Sequence, residues 1–343
     1  MTVRLCLVEL METIRKQFPI LLVVVSCLSL CASIFAQEQS PQKQDGPAVR
    51  FSLIVADRSK HSLDDLNKDS ISILEDKVPQ TVSLFSRDDR PVDYGLVIDT
   101  SGSFRKLLDA AVETARFLVS NNRDLDETFI ERFISSDKVE TVQEFTSDKT
   151  EMLKSLRTLY IEGGQSAVID AVYVAATHTA EHRPGTNERR KALVLVSDGE
   201  DRASYYTENQ LVQLLREKDV QVFVIGIVAQ LDDRPRPVGL DPRGKAEKLL
   251  TRLAQETGGR VFFPKTTNEL REAAGEIVHD LHTQYLVGYQ STTPNSKENF
   301  RKVEVKIAEA PGRDKPTAIT RPGYFVNPPD ASVKEKDKKK PKE

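Results

Sequence analysis

Cysteine disappears from this chain after Cys31: of 343 residues, only Cys6, Cys27 and Cys31 carry a thiol. That excludes from the rest of the chain a disulfide framework, a cysteine-ligated zinc or iron–sulfur site, and a cysteine nucleophile. Tryptophan is absent and aromatic residues make up 6%, so a core must be assembled mostly from Leu, Val, Ile and Ala. No sign of charge dominates. Lys and Arg number 49 against 52 Asp and Glu, a net charge of -3, which leaves no global basic field to attract nucleic acid. Long hydrophobic runs are confined to one place near the start, which argues against a multi-span membrane protein. What remains, 39% hydrophobic and 29% charged residues, is the balance of a folded globular protein.

The one long apolar run is a leader. Arg15 and Lys16 precede the uncharged residues 17–37, whose centre reads FPILLVVVSCLSL. Basic residues, an apolar stretch and a small-residue exit at Ala36 spell a secretory signal over residues 1–36, and hence an exported protein, periplasmic or secreted. The run approaches the ~20 residues that span a bilayer, so an uncleaved membrane anchor is the alternative. Ser26, Cys27, Ser29, Cys31 and Ser33 disfavour it. Residues 37–47 read as a polar linker. At the other end, residues 329–343 include KEKDKKKPKE and read as a disordered Lys-rich tail.

Between these ends the texture changes once. Residues 48–90 hold short apolar or alternating runs (VRFSLIVA, SISILE, TVSLFS), which predict a small β region. From residue 91 strands alternate with helices. YGLVID, KALVLVSD and QVFVIGIV are buried strands, and ETFIERFI and KVETVQEF are two more. Helices are expected over residues 104–120, with Leu108, Val112, Ala115 and Val119 inward, over 148–159 and 166–181, at ENQLVQLLREK, and over 245–256. A last helix follows Thr266 and Glu269, read as a capping box. Continuous apolar strands spaced by helices give a doubly wound, mostly parallel α/β domain over residues 91–290. The strand-like QYLVGYQ, RKVEVKI and RPGYFV then either extend that sheet or join the first β region; residues 291–328 are read as a C-terminal β extension.

The chemistry gathers at strand ends. Asp99, Ser101 and Ser103 form D-x-S-x-S at the end of the first apolar strand. Ser166 follows Gly163 and Gly164 and precedes Asp170 by four, and Asp198 sits in SDGE after a later strand. Open α/β sheets bind ligands at these carboxyl ends. Three hydroxyls and two carboxylates suit a hard divalent cation such as Mg2+. With only two formal charges, the site keeps a position for a partner's carboxylate.

Residues 91–290 resemble the von Willebrand factor type A domain with its metal-ion-dependent adhesion site, through VIDTSGS, GGQSAVIDA and LVSDGE. The resemblance implies a Rossmann-like fold and Asp99, Ser101, Ser103, Ser166 and Asp198 as the metal shell, with Mg2+ as cofactor and Mn2+ as a substitute. One departure is visible: the third loop normally offers Thr, and here the hydroxyl is Ser166. With leader and flanking β regions included, nearly the whole chain looks like bacterial exported VWFA-related proteins.

Several other patterns are discounted. GLDPRGK at residues 239–245 has P-loop spacing, but Ala246 stands where a magnesium-binding hydroxyl is needed. DTSG at 99–102 lacks the second aspartate loop of an aspartic protease. His178 and His182, and likewise His279 and His282, read as solvated histidines rather than zinc ligands. Residues 231–243 leave the sheet at the rim of the metal site and are expected to shape partner choice. The resulting expectation is an exported binding protein, not an enzyme, that captures a protein partner through an acidic side chain on the metal. It binds no nucleic acid, and meets a membrane only if the leader persists. The alternatives are an envelope assembly scaffold with a structural or vestigial metal site and, last, a metal-dependent hydrolase.

Overall fold

Short β runs open the folded part: β1 (Ala48–Ala56), β2 (Ile71–Glu75), β3 (Val78–Gln80) and β4 (Val82–Arg87). The computed structural model describes residues 48–184, 188–233, 241–292, 299–309 and 315–327. The expected leader, linker and Lys-rich tail lie outside the described residues, as does the middle of the 231–243 segment.

The alternating region follows as β5 (Val92–Asp99), α1 (Leu108–Ser120), β6 (Glu127–Ser135), β7 (Lys138–Thr146), α2 (Lys149–Leu156) and α3 (Val168–Glu181). After these come β8 (Arg190–Ser197), α4 (Glu208–Lys218), β9 (Gln221–Gly226), α5 (Pro242–Thr257), β10 (Val261–Phe262) and α6 (Thr267–His282). The six strands form one sheet in the order β10-β9-β8-β5-β6-β7, parallel except for the β6–β7 hairpin. This is the doubly wound, mostly parallel sheet that the apolar runs predict.

Alternate strand residues feed two cores. Leu96, Ile98, Ile130, Val194 and Val196 pack on α1, α2 and α6. Val97, Phe129, Phe133, Leu193 and Leu195 pack on α3, α4 and α5. With both faces covered, all eight residues of β5 are buried, and burial of each aliphatic side chain stabilises by roughly 1.5–3 kcal/mol.

Two local expectations shift. The inward stripe of α1 runs through Ala111, Thr114, Ala115, Leu118 and Val119, with Leu108 and Val112 only half-buried. The helix begins at Leu108, after a 3-10 turn over Gly102–Phe104, and this sets which stripe meets the sheet. At α6, Thr266 Oγ1 accepts from Glu269 N at 3.2 Å, but the Glu269 carboxylate bonds Lys265 N at 2.9 Å instead of closing the box on Thr266.

The remaining strands, β11 (Tyr285–Gln290), β12 (Phe300–Ile307), β13 (Thr317–Ile319) and β14 (Gly323–Phe325), settle the question left open by sequence. They join the first β region, in sheets ordered β13-β1-β11-β4 and β14-β12-β2-β3. Both sheets are antiparallel and share a core that includes Phe51, Leu53, Val55, Ile73, Val287 and Tyr289. At its centre the fully buried Glu75 accepts hydroxyl bonds from Tyr289 (2.6 Å), Ser291 (2.6 Å) and Tyr324 (2.9 Å).

Glu131 lacks such support. It is fully buried on β6 between Phe129 and Phe133, and neither carboxyl oxygen has a hydrogen-bond partner among the described residues. Burial alone pushes its pKa up to about 8. The neutral acid is therefore the form the fold accommodates. Its contribution to stability is complete below the ordinary glutamate range and is lost as pH rises through about 8. Urea unfolding at stepped pH should show wild type weakening by a few kcal/mol more across this window than Glu131→Leu, in which the other titrating groups are unchanged. Parallel profiles for the two proteins would contradict this account.

Candidate metal centre

Three loops at the carboxyl ends of β5 and β8 and at the start of α3 converge. In the first, Asp99 ends β5 and Thr100 pins the turn to the neighbouring strand, its N and Oγ1 both donating to Phe133 O at 2.9 and 3.0 Å. Ser101 N donates to Asp99 Oδ1 at 2.9 Å, and the Ser101 and Ser103 hydroxyls lie 3.0 Å apart. Phe104, fully buried, anchors the far side of the turn.

The second loop must pass close to the first. Gly164 has φ +107°, and a Cβ there would stand 2.6 Å from Ile134 Cγ2, so only glycine fits. The turn delivers Ser166, whose Oγ donates to Asp99 Oδ2 at 3.3 Å. The third loop carries Asp198. Glu200 N donates to Asp198 Oδ1 at 3.1 Å, and Gly199, at φ +73°, turns the chain where any Cβ would strike Leu250.

The structure thus brings together all five sequence-derived residues. Asp99, Ser101, Ser103 and Ser166 share hydrogen bonds, and Asp198 lies close enough for its charge to act on Asp99. Asp99, Ser101 and Asp198 are fully buried and Ser166 is nearly so. These serines are not occupied as helix caps: Ser101 makes no side-chain cap bond, and the cap of α3 is Ala167.

Burial, reinforced by the neighbouring Asp198 carboxylate, pushes the Asp99 pKa upward. Two like charges in a dry site are unfavourable unless a cation joins them. The donor set fits one: carboxylate and hydroxyl oxygens only, as a hard divalent ion prefers. Asp99, Ser101, Ser103, Ser166 and Asp198 would hold it.

Sequence reasoning missed the residues that fix this geometry. Ser197 Oγ donates to Asp99 Oδ2 at 2.7 Å and accepts from Gly199 N at 2.9 Å, tying the first loop to the third. Asp170, buried in the first turn of α3, accepts from Tyr205 N (2.7 Å) and Tyr206 N (2.8 Å). Asp201 accepts from Ile169 N at 3.2 Å and Ser204 Oγ at 2.5 Å. The Ser166 carbonyl accepts from Arg202 N and Ala203 N. Ser197 and Asp170 stand inside the motifs that located the site, but Ser197 reaches a carboxylate 98 residues away and Asp170 two backbone amides 35 and 36 residues away. Beside the third loop a groove of about 440 Å³ is lined by Ile169, Glu200, Arg202, Lys245 and Leu249 among others.

The histidines go elsewhere. Contrary to the solvated reading, His178 and His182 are largely covered and stack on the Phe145 ring, with centroids 5.4 and 3.8 Å away. His182 bonds Glu127 at 3.0 Å, and with Asp93 these make an acidic triad at the opposite end of β5. Arg183 and Arg189 already neutralise it, at 2.6 Å from Glu127 and 2.7 Å from Asp93.

A sequence profile described as the von Willebrand factor type A domain matches residues 93–276, more than half of the chain. Similar solved structures include an aerotolerance-related membrane protein from Bacteroides fragilis carrying multiple mutations to serines. It is 19% identical over 55% of this chain and 98% of that one, with TM-score 0.43. The conserved hypothetical protein BatB from Bacteroides thetaiotaomicron is 17% identical over 55% and 98%, with TM-score 0.43. A von Willebrand factor type A protein from Catenulispora acidiphila is 12% identical over 81% of this chain and 74% of that one, with TM-score 0.45. No curated protein matches the sequence.

Replacing Asp170 by Asn points an amide donor at one of two backbone N–H donors. The loss should be about 1–3 kcal/mol in urea unfolding, with faster hydrogen exchange at Tyr205 and Tyr206. Unchanged exchange at these two amides would contradict the strap.

Proposed function

The chain belongs to the von Willebrand factor type A domain family, and from that premise we propose that it is an exported binding protein that captures a protein partner through a divalent cation. The cation is Mg2+, with Mn2+ as a substitute, on Asp99, Ser101, Ser103, Ser166 and Asp198. Domains of this family mediate protein–protein interactions. The observation that carries the reading is the buried Asp99–Asp198 pair ringed by hydroxyls that cap no helix. When bound, the cation supplies a Lewis-acidic position for an anionic oxygen. The protein's own part is to orient the ligands: Ser197 and Ser101 N–H hold both Asp99 oxygens, and the Asp170 strap keeps Ser166 facing Asp99.

An acidic side chain is the partner group this rim favours. Arg105 and Lys106 are exposed just after the first loop, and the half-exposed Arg202 flanks the third. Export rests on the leader, and fractionation of cells expressing the full chain tests it: protein found in the cytosol alone would contradict it.

The decisive experiment titrates Mg2+ and Mn2+ into the purified chain and into Asp99→Asn by calorimetry, with parallel unfolding curves. Wild type should bind one cation and gain about 2.7 kcal/mol at a hundredfold excess over Kd, while the variant binds none. Without cation the variant should be the more stable of the two, because one of two buried like charges is gone. If neither protein binds metal, the assembly-scaffold reading replaces this one.

A further inference from the structure

Beside the metal cluster, the carboxyl end of the sheet carries a second feature that the cation does not use. The groove of about 440 Å³ lies between the third loop and the first turns of α3, α4 and α5, which contribute Ile169, Glu208 and Pro242. One loop makes it continuous with the cluster. Gly199 and Glu200 in its wall directly follow Asp198, and Glu200 N donates to Asp198 Oδ1 at 3.1 Å.

Floor and walls differ in chemistry. Ile169, Ala246 and Leu249 line the groove at 8% exposure or less, and each belongs to the core packed on α3, α4 and α5. They offer the outer edge of an aliphatic core. The acids above them are already engaged. Glu200 accepts from Arg202 Nη2 at 2.7 Å, Glu208 from Arg252 Nη1 at 2.7 Å, and Asp201 from Ile169 N and Ser204 Oγ. Lys245 differs: it is exposed, and among the described residues it has no ion-pair partner. The opening thus combines an apolar base, carboxylates that are taken, and one spare cation at the mouth.

We infer that this groove receives an aliphatic side chain of the partner, such as leucine, next to the acidic residue that meets the cation. The inference rests on the metal-dependent capture proposed above and states what flanks the partner's acid. An aliphatic floor gains from covering such a side chain, whereas a basic one would lose its hydration and find every carboxylate occupied. Lys245 adds a preference for acidic character around it. The volume stands at the small end of the ~300–1,000 Å³ range of ligand pockets, which suits one or two side chains and excludes a whole helix. Asp170 and Asp201 tie the third-loop wall to α3 in advance, so little ordering is left to oppose binding.

The test uses blocked peptides on the Mg2+-loaded full chain, followed by NMR of isoleucine and leucine methyl groups. The parent is a glycine peptide with one central aspartate, and its relatives carry leucine one, two or three positions to either side. At least one relative should bind about tenfold tighter than the parent and shift the Ile169 and Leu249 methyl signals. Ala246→Leu, which fills the floor, should remove that advantage while Mg2+ affinity and binding of the parent stay as in wild type. If it does not fold, Leu249→Ala takes its place and should cut the advantage severalfold. Lys245→Glu should weaken parent and relatives alike. Equal affinity for parent and all relatives, with Mg2+ bound, overturns the groove and leaves the metal reading standing. If wild type binds no Mg2+, the metal reading falls by itself. The groove is then judged with N-acetylleucinamide: saturable shifts at Ile169 and Leu249 uphold it, and their absence overturns it. Shifts of those methyls on raising protein concentration alone assign the groove to a second copy of this chain and also overturn the proposal.

Discussion

Asp99 and Asp198 are two fully buried carboxylates at the ends of neighbouring parallel strands, and their repulsion is the constraint to which the carboxyl end of the sheet is built. Everything around them supplies hydrogen bonds or room for positive charge. Ser101, Ser166 and Ser197 satisfy Asp99, and the Glu200 amide satisfies one oxygen of Asp198. Gly164 and Gly199 let the second and third loops lie against Ile134 and Leu250, where a Cβ would collide. Asp170 and Asp201 stitch the loop after β8 to the first turn of α3, so that Ser166 is held from behind.

The opposite end of the same sheet is organised by ion pairs rather than by hydroxyls. Asp126 accepts from Val92 N and from Arg123 and His282, and burial notwithstanding these hold its pKa far below the usual carboxylate range. Asp93 and Glu127 are taken by Arg189, Arg183 and His182. The parallel arrangement makes the division natural, because helix termini and loops of like polarity collect at each edge.

The central sheet was legible because a strand buried on both faces has to be continuously apolar, as YGLVID, KALVLVSD and QVFVIGIV are. The five-residue candidate cluster was legible because each member ends a strand or opens a helix. Less visible were the stripe of α1, which depends on where its 3-10 lead-in stops, and the stacking of His178 and His182 on Phe145. Glu75 and Glu131 show the same limit. Both read as ordinary strand glutamates, yet one is satisfied by three distant hydroxyls and the other by none.

By itself, then, the sequence determined the period of each element, the doubly wound class and the residue types gathered at the carboxyl ends, all of them properties of short stretches of chain. Tertiary structure decided which strands the terminal segments pair with, which polar groups steady Asp99 and Asp198, and which charges at the amino end find partners. These depend on contacts between residues far apart in sequence, such as Ser197 with Asp99 or Arg321 with Asp219, and no local pattern records them.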